Sequence, residues 1–299
     1  MGTSIVDRLF RSIPVIVFAI IFAGQVHPQH ARQTISDDLG RTVTIPHPLA
    51  RIVSLAPNVT EIIYALGVDS ILAGVTDYCD YPPQATLKPH MGGIINPNIE
   101  TIVGTRPDLV LMSVEGNSRL DCEKLEKLSI PVVATNPRTI DGVMKSILDI
   151  GKITGASQTA DRLVAELRSR RDSILATTTQ LRRPRVLVIF SLTPLMVAGS
   201  SSFINDLITD AGGSNIGAMG KGSYPIFSRE EILSLQPEKI ILTSDIAVSS
   251  EKLLQQFPEW RTLDVLRDGA ISSIDASIIS RPGPRVVQAI AELARIIHR

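Results

Sequence analysis

Two short stretches decide the architecture: NPNIETIVGTRPDLVLM (residues 96–112) and FSREEILSLQPEKIIL (residues 227–242). Laying Glu100 on Glu230 also lays Ile102 on Ile232, Val103 on Leu233 and Pro107 on Pro237. Asp108 then meets Glu238, while Val110 and Leu111 meet Ile240 and Ile241. Each stretch reads as a short helix, a Pro-acid turn and an apolar strand, since a short apolar run bounded by turn residues marks a buried strand. A chain that builds this unit twice is expected to hold two α/β lobes of similar plan. Duplication accounts for the apolar and proline matches. It does not account for the leading glutamates, because a helix start favours a carboxylate only modestly.

Working outward, DDLGRTVTIPHPLARIVSL alternates apolar and polar residues around Leu39-Gly40 as a β-hairpin does and runs into a strand at 51–55. PNVTEIIYALG reads as a helix with Asn58 as N-cap, Glu61 three residues on and Gly67 closing it. Strands are expected at 71–75, 109–112 and 132–134, with helices at 99–105 and 118–128. Beyond residue 181 the alternation resumes, with strands at 186–190, 239–242 and 270–274. Helices are expected there at 203–211, 229–235, 252–256 and 284–298. Alternating strands and helices predict parallel sheets wrapped by helices. Between the two series, ADRLVAELRSRRDSILATTTQL places Leu163, Leu167, Ile174 and Leu181 on one side and charge on the other. About 22 helical residues would reach roughly 33 Å, enough to join two lobes. The expected division is an N-terminal lobe at 32–157, a linking helix at 158–181 and a C-terminal lobe at 182–299.

The chain has 299 residues, 44% hydrophobic and 20% charged. Thirty basic residues balance thirty acidic ones, so no bulk field favours nucleic acid. Arg8 and Arg11 precede IPVIVFAIIFAG, an apolar run too short to span a bilayer comfortably. That order fits a signal peptide over residues 1–31, and so a protein exported to the periplasm. Export bears on Cys79 and Cys122. In an oxidising compartment an even pair is expected to be bridged, with a metal-ligand role for Cys79 as the lesser alternative.

A catalytic or metal constellation is not expected. The five histidines are scattered, no nucleophile elbow or phosphate loop stands out, and His, Asp and Glu do not cluster at ligand spacing. The loops at strand ends, where open α/β sheets bind ligands, carry the distinctive residues. These are TDYCDYPP (76–83), MGGIINPN (91–98), VEGN (114–117), AGSSSF (198–203), GSYPIF (222–227) and SRPGPR (280–285).

Through RIVSLAPNVTEIIYALG, DYPPQA, the two stretches quoted first, SFINDLITDAGGSN and SRPGPR, the chain resembles the periplasmic solute-binding proteins of ABC importers for vitamin B12, ferric siderophores and haem. The match runs from about Arg51 to the C-terminus and is nearest to the vitamin B12-binding branch. The resemblance implies two Rossmann-like α/β lobes joined by one long backbone helix, a ligand clamped between them, no catalysis and no intrinsic cofactor. It implies a monomer delivering its ligand, a corrinoid such as cobalamin, to a permease dimer in the inner membrane. A ferric siderophore or haem is the alternative cargo, and an exported α/β enzyme the remote one.

The ligand-binding positions expected on these loops are Pro57, Asn58, Tyr78, Asp80, Tyr81, Pro82, Gly92, Gly93, Gly116, Asn117, Phe190, Met196, Ser201, Phe203, Tyr224, Pro225, Arg281 and Arg285. A ferric catecholate would call for several basic cleft residues, of which Arg281 and Arg285 are the strong candidates. Haem would want Tyr78, Tyr81 or His90 as an axial ligand. In the family resembled, glutamates corresponding to Glu100 and Glu230 dock on permease arginines, one lobe per subunit. The chain departs from the B12-binding branch at Gly92 or Gly93, Ser113 and Tyr224, where relatives carry cleft tryptophans. Its one tryptophan, Trp260, lies outside these loops.

Overall fold

The computed structural model describes residues 31–267 and 271–299. The expected signal peptide therefore lies, but for its last residue, outside the described residues. Strands β1 (Ala31–Ser36) and β2 (Thr42–His47) pair antiparallel, with Ser36 opposite Thr42. Asp37 closes the turn by accepting from the backbone N–H groups of Leu39 and Arg41, and Gly40 supplies φ +72°. The Arg41 guanidinium then reaches Glu126 and the Val132 carbonyl, which pins the hairpin to the first lobe.

That lobe is built on β3 (Ile52–Ser54), β4 (Leu72–Val75), β5 (Leu109–Ser113) and β6 (Val132–Thr135), all parallel, in the order β4-β3-β5-β6. Its helices are α1 (Pro57–Ala65), α2 (Ile99–Gly104), α3 (Arg119–Lys127) and α4 (Ile140–Thr154). Helix α5 (Ser157–Thr178) follows. The second sheet holds β7 (Arg185–Leu192), β8 (Leu195–Val197), β9 (Ser214–Asn215), β10 (Lys239–Thr243) and β11 (Ile271–Ile274). Its order is β11-β10-β7-β8, with β9 also on β7 and only β8 antiparallel. Around it lie α6 (Phe203–Asp210), α7 (Arg229–Leu235), α8 (Ser250–Gln256), α9 (Asp264–Arg267), α10 (Ala276–Ser280) and α11 (Val286–Ile297).

The repeated stretches take the same backbone path. Asn98 caps α2 and Ser228 caps α7 through their side chains. Each helix ends at a non-glycine residue with φ +48°, Arg106 and Gln236, just before the matched proline. The acids after the prolines do the same work in each lobe. Asp108 accepts from the N–H groups of Ala50 and Arg51, and Glu238 from that of Arg185. Arg51 and Arg185 return a guanidinium bond to the carbonyls of Thr105 and Gln236. The Pro-acid turn thus ties each short helix to the start of its sheet's central strand. Fold chemistry explains the Pro-acid matches and the buried Ile102 and Ile232, and gives no role to Glu100 and Glu230.

Helix α5 packs on α4, α11 and α6. It buries Ala160, Val164 and Leu167 in an apolar cluster that also takes in α1, α4, α6 and α11. One core therefore runs through both lobes. Gly151 of α4 allows the closest approach, since a Cβ there would sit 2.4 Å from the Cβ of Ala160.

Two expectations are corrected, and one helix is new. Cys79 and Cys122 are free thiols. Alternate residues of β5 face opposite ways, and Cys79 lies in the cluster with Leu109 and Leu111 while Cys122 lies with Val110 and Met112. The sheet stands between the two sulfurs. Cys79 bonds instead with Thr60 and Thr76, and Cys122 accepts from Arg41. Asn58 is not the cap of α1: Ala56 holds that place, and Pro57, whose missing N–H is harmless there, opens the helix. Helix α4, capped by Thr139 and closed by Gly155 at φ +77°, had no counterpart in the sequence reading.

Candidate ligand-binding cleft

In the first sheet β3 lies between β4 and β5, so the loops after β3 and β5 leave in different directions and open a crevice at the strands' carboxyl ends. A cavity of about 430 Å³ fills it. One wall comes from Pro57, Asn58, Tyr78, Ile94, Glu115 and Gly116, and the other from Tyr224 and the stretch around α10 that includes Ser280, Arg281 and Pro282. The volume is toward the small end of ligand pockets, so a large macrocycle would be held by part of its surface. A larger recess, about 510 Å³, lies within the first lobe beyond the loop after β5, beside Leu39 and Cys122. The cleft is the better candidate because both lobes contribute to it.

Two sets of charges bridge the cleft. At one end Glu61, in α1, accepts two bonds from Arg285, at 2.9 Å from Nε and 2.6 Å from Nη2, and one from Arg281 at 3.3 Å. The side chains of Glu61 and Arg285 are 2% and 12% exposed. Arg281 also donates to Asp80 and to the Tyr78 carbonyl, and the Arg285 guanidinium lies 4.2 Å over the Tyr81 ring. The Arg281 hydrogen bond holds the Asp80 carboxyl below the usual carboxylate range. The second bridge is sparser. Arg138, after β6, donates to the Ser223 hydroxyl at 2.9 Å and stands 3.2 Å from Glu115. Burial pushes the Glu115 carboxyl up against the pull of Arg138. Burial also pushes the Tyr224 hydroxyl up to about 12, and its ring meets Phe190 edge-on at 5.4 Å.

Of the positions expected from sequence, Pro57, Asn58, Tyr78, Gly116, Tyr224 and Arg281 line the cleft. Asn58 also donates across it to the Pro282 carbonyl. Gly93 lies beside the Tyr78 ring, and Gly92, at φ +83°, forms the turn that pairs with Pro97. Tyr81, Pro82 and Arg285 line a separate recess with Glu61 and Arg170. Asn117 does not offer its amide to a ligand: it accepts from the Ser113 N–H and donates to the carbonyls of Leu55 and Ile94, which ties the loop down. Phe203, the first residue of α6, is 1% exposed and belongs to the core cluster. Phe190 and Met196 are half-buried, Pro225 packs on Gly199 and Gly220, and Ser201 is exposed with its carbonyl accepting from Ser223. None of these four lines the cavity. Trp260 is buried, stacked on Phe257 in the second lobe's outer core. His90 is held by Asp77 and the Thr86 carbonyl and does not line the cleft.

Sequence reading missed Glu61, Glu115 and Arg138. Glu61 had a visible mark, a carboxylate inside the otherwise apolar helix PNVTEIIYALG, since a charge on a buried face needs a partner. Glu115 and Arg138 sit in loops and carried none. Glu100 and Glu230 stand exposed in the first turns of α2 and α7, and neither forms an ion pair or hydrogen bond among the described residues. No three His, Cys, Asp or Glu side chains converge on a metal position among the described residues.

Comparison with known proteins agrees with this architecture. A vitamin B12-binding protein of Vibrio campbellii is 28% identical over 247 residues, covering 82% of this chain and 88% of the relative. The crystal structure of the periplasmic vitamin B12 binding protein of Vibrio cholerae superposes with TM-score 0.75 at 25% identity, over 84% of this chain and 97% of that one. A periplasmic haem-binding protein of Roseiflexus in its apo form has the same fold, with TM-score 0.76 at 24% identity, over 84% of this chain and 98% of that one. The family model described as periplasmic binding protein matches residues 52–278. With three-quarters of its length inside that match, and with two parallel-sheet lobes meeting at a cleft, the chain belongs to the periplasmic binding protein family, the substrate-binding components of ABC importers.

Proposed function

We propose that this chain captures a corrinoid, cobalamin first, in the inter-lobe cleft and delivers it to a permease dimer. It is exported by residues 1–31 and works in the periplasm as a monomer. The observation that carries the ligand class is the neutralisation of every arginine at the cleft from within the protein. Arg281 meets Asp80 and Glu61, Arg285 meets Glu61, and Arg138 meets Glu115. An anionic ferric catecholate entering there would lose its hydration and find no spare cation in exchange. A largely uncharged macrocycle with apolar faces suits Tyr78, Ile94 and Tyr224 better. The vitamin B12-binding relative at 28% identity supports the same class. Haem is the second reading, favoured by the hydroxyl of Tyr78, which is 59% exposed on the cleft wall and able to serve as an axial ligand.

Delivery rests on Glu100 and Glu230. Two matched, unpaired carboxylates on an otherwise asymmetric chain suit a two-fold partner carrying arginines. Calorimetry and absorption spectra of the exported form with cyanocobalamin, haem and a ferric catecholate test the ligand. Saturable binding of the catecholate with none of cyanocobalamin would overturn the corrinoid reading. Glu100→Arg with Glu230→Arg is expected to leave ligand affinity unchanged and abolish uptake, with docking weaker as salt rises. Full uptake by the double variant would overturn the docking reading.

A further inference from the structure

Glu115 differs from the other carboxylates at the cleft. Glu61 accepts three arginine hydrogen bonds and the more exposed Asp80 accepts one, whereas Glu115 accepts none from any described group and has a single ion pair, at 3.2 Å. Its side chain is 23% exposed, and it is the one acidic residue among those lining the cavity. Tyr224, its neighbour across the cleft, is close enough for the two to feel each other's charge and makes no hydrogen bond with it. A carboxylate with this little water and unused lone pairs is an acceptor waiting for donors.

We propose that Glu115 is a specificity-determining residue that accepts N–H bonds from a primary amide of the ligand and turns away a ligand bearing a carboxylate at the same place. The inference rests on the corrinoid reading above, and the loop geometry favours it. Asn117 locks the turn after β5 to the backbone of Leu55 and Ile94, so the loop that carries Glu115 cannot draw back from an unwelcome charge without undoing three hydrogen bonds. Arg138 already divides its guanidinium between Glu115 and Ser223, so a second carboxylate there would compete with Glu115 for the same cation. A site that hydrogen-bonds one group discriminates strongly against an analogue that cannot satisfy it, and a juxtaposed like charge sharpens the rejection.

The test is a ratio of affinities. Wild type, Glu115→Gln and Glu115→Ala are titrated at neutral pH with cyanocobalamin and with each of its monocarboxylate hydrolysis products. Wild type is expected to disfavour at least one acid by about tenfold or more, and both variants to bring that ratio within about twofold. A general loss of affinity in a variant leaves the ratio readable. An unchanged ratio across the three proteins, or no discrimination by wild type, would overturn the proposal. If haem binds and cyanocobalamin does not, the corrinoid reading falls on its own. The ratio is then read between haem and its propionate bis-amide, where a flat result overturns the role of Glu115 as well. Binding of neither pair overturns both.

Discussion

The two charge bridges across the cleft use the same chemistry in different surroundings. Around Glu61, a buried carboxylate is held by two arginines from the far lobe, one of them bidentate. At Arg138 the side chain is 44% exposed, meets Glu115 singly, and reaches the other lobe through one hydroxyl. Burial decides their roles. A buried, multiply bonded cluster is costly to break because its survivors are stranded without water. An exposed single pair exchanges readily with solvent and contributes little. One end of the cleft is therefore a fixed anchor, and the other a contact that opens.

The sharpest way to break this contrast is Glu61→Ala. It leaves the Arg285 and Arg281 guanidinium groups facing an uncompensated pocket and is expected to lower stability by about 3–5 kcal/mol in chemical unfolding. A loss under about 1 kcal/mol would mean that the anchor is no stronger than a surface pair. Tyr224→Ala tests the wall between the bridges. On the order of 1–3 kcal/mol of ligand affinity should be lost in calorimetry, whereas lost stability with unchanged affinity would make Tyr224 a core residue. Arg138→Ala is expected to cost about 0–1 kcal/mol of stability while raising ligand association and dissociation rates together in stopped-flow. The smallest effect is in acid. Asp80 has its carboxyl held low by Arg281, so its contribution is fully present above the unfolded value of 3.8 and fades as pH falls through the lower folded value. Unfolding midpoints of wild type and Asp80→Asn are expected to converge in that range and to stay apart above it.

The same division separates what the sequence disclosed from what it withheld. Alternation, the doubled Pro-acid unit and the linking helix are local or periodic features, and each led to the right element. The cleft loops were found because strand ends are marked by glycine, proline and aromatic residues, and Tyr78, Tyr224 and Arg281 do line the cavity. Glu61 was marked by its apolar helix, but its pairing was hidden because its arginines lie 220 and 224 residues away in the chain. Composition suggested a disulfide, but only the placement of Cys79 and Cys122 against opposite faces of one sheet excludes it. Asn117 and Phe203 looked like site residues because they sit in the right loops. Whether a side chain turns toward ligand, backbone or core is a tertiary fact.

The close seating of Gly151 on Ala160 governs how a loaded molecule can differ from an empty one. With α4 and α5 locked at that point and a common core behind them, a wide swing of the lobes would bring apolar surface into water at about 25 cal/mol per Å². A few hundred Å² would cost several kcal/mol by that measure. Empty and loaded forms must then present almost the same outline to any reader. What cargo can change at little cost is duration, by lengthening the time for which the Arg138 side stays shut. Arrival of cargo would on this basis be told by a clock rather than by a silhouette.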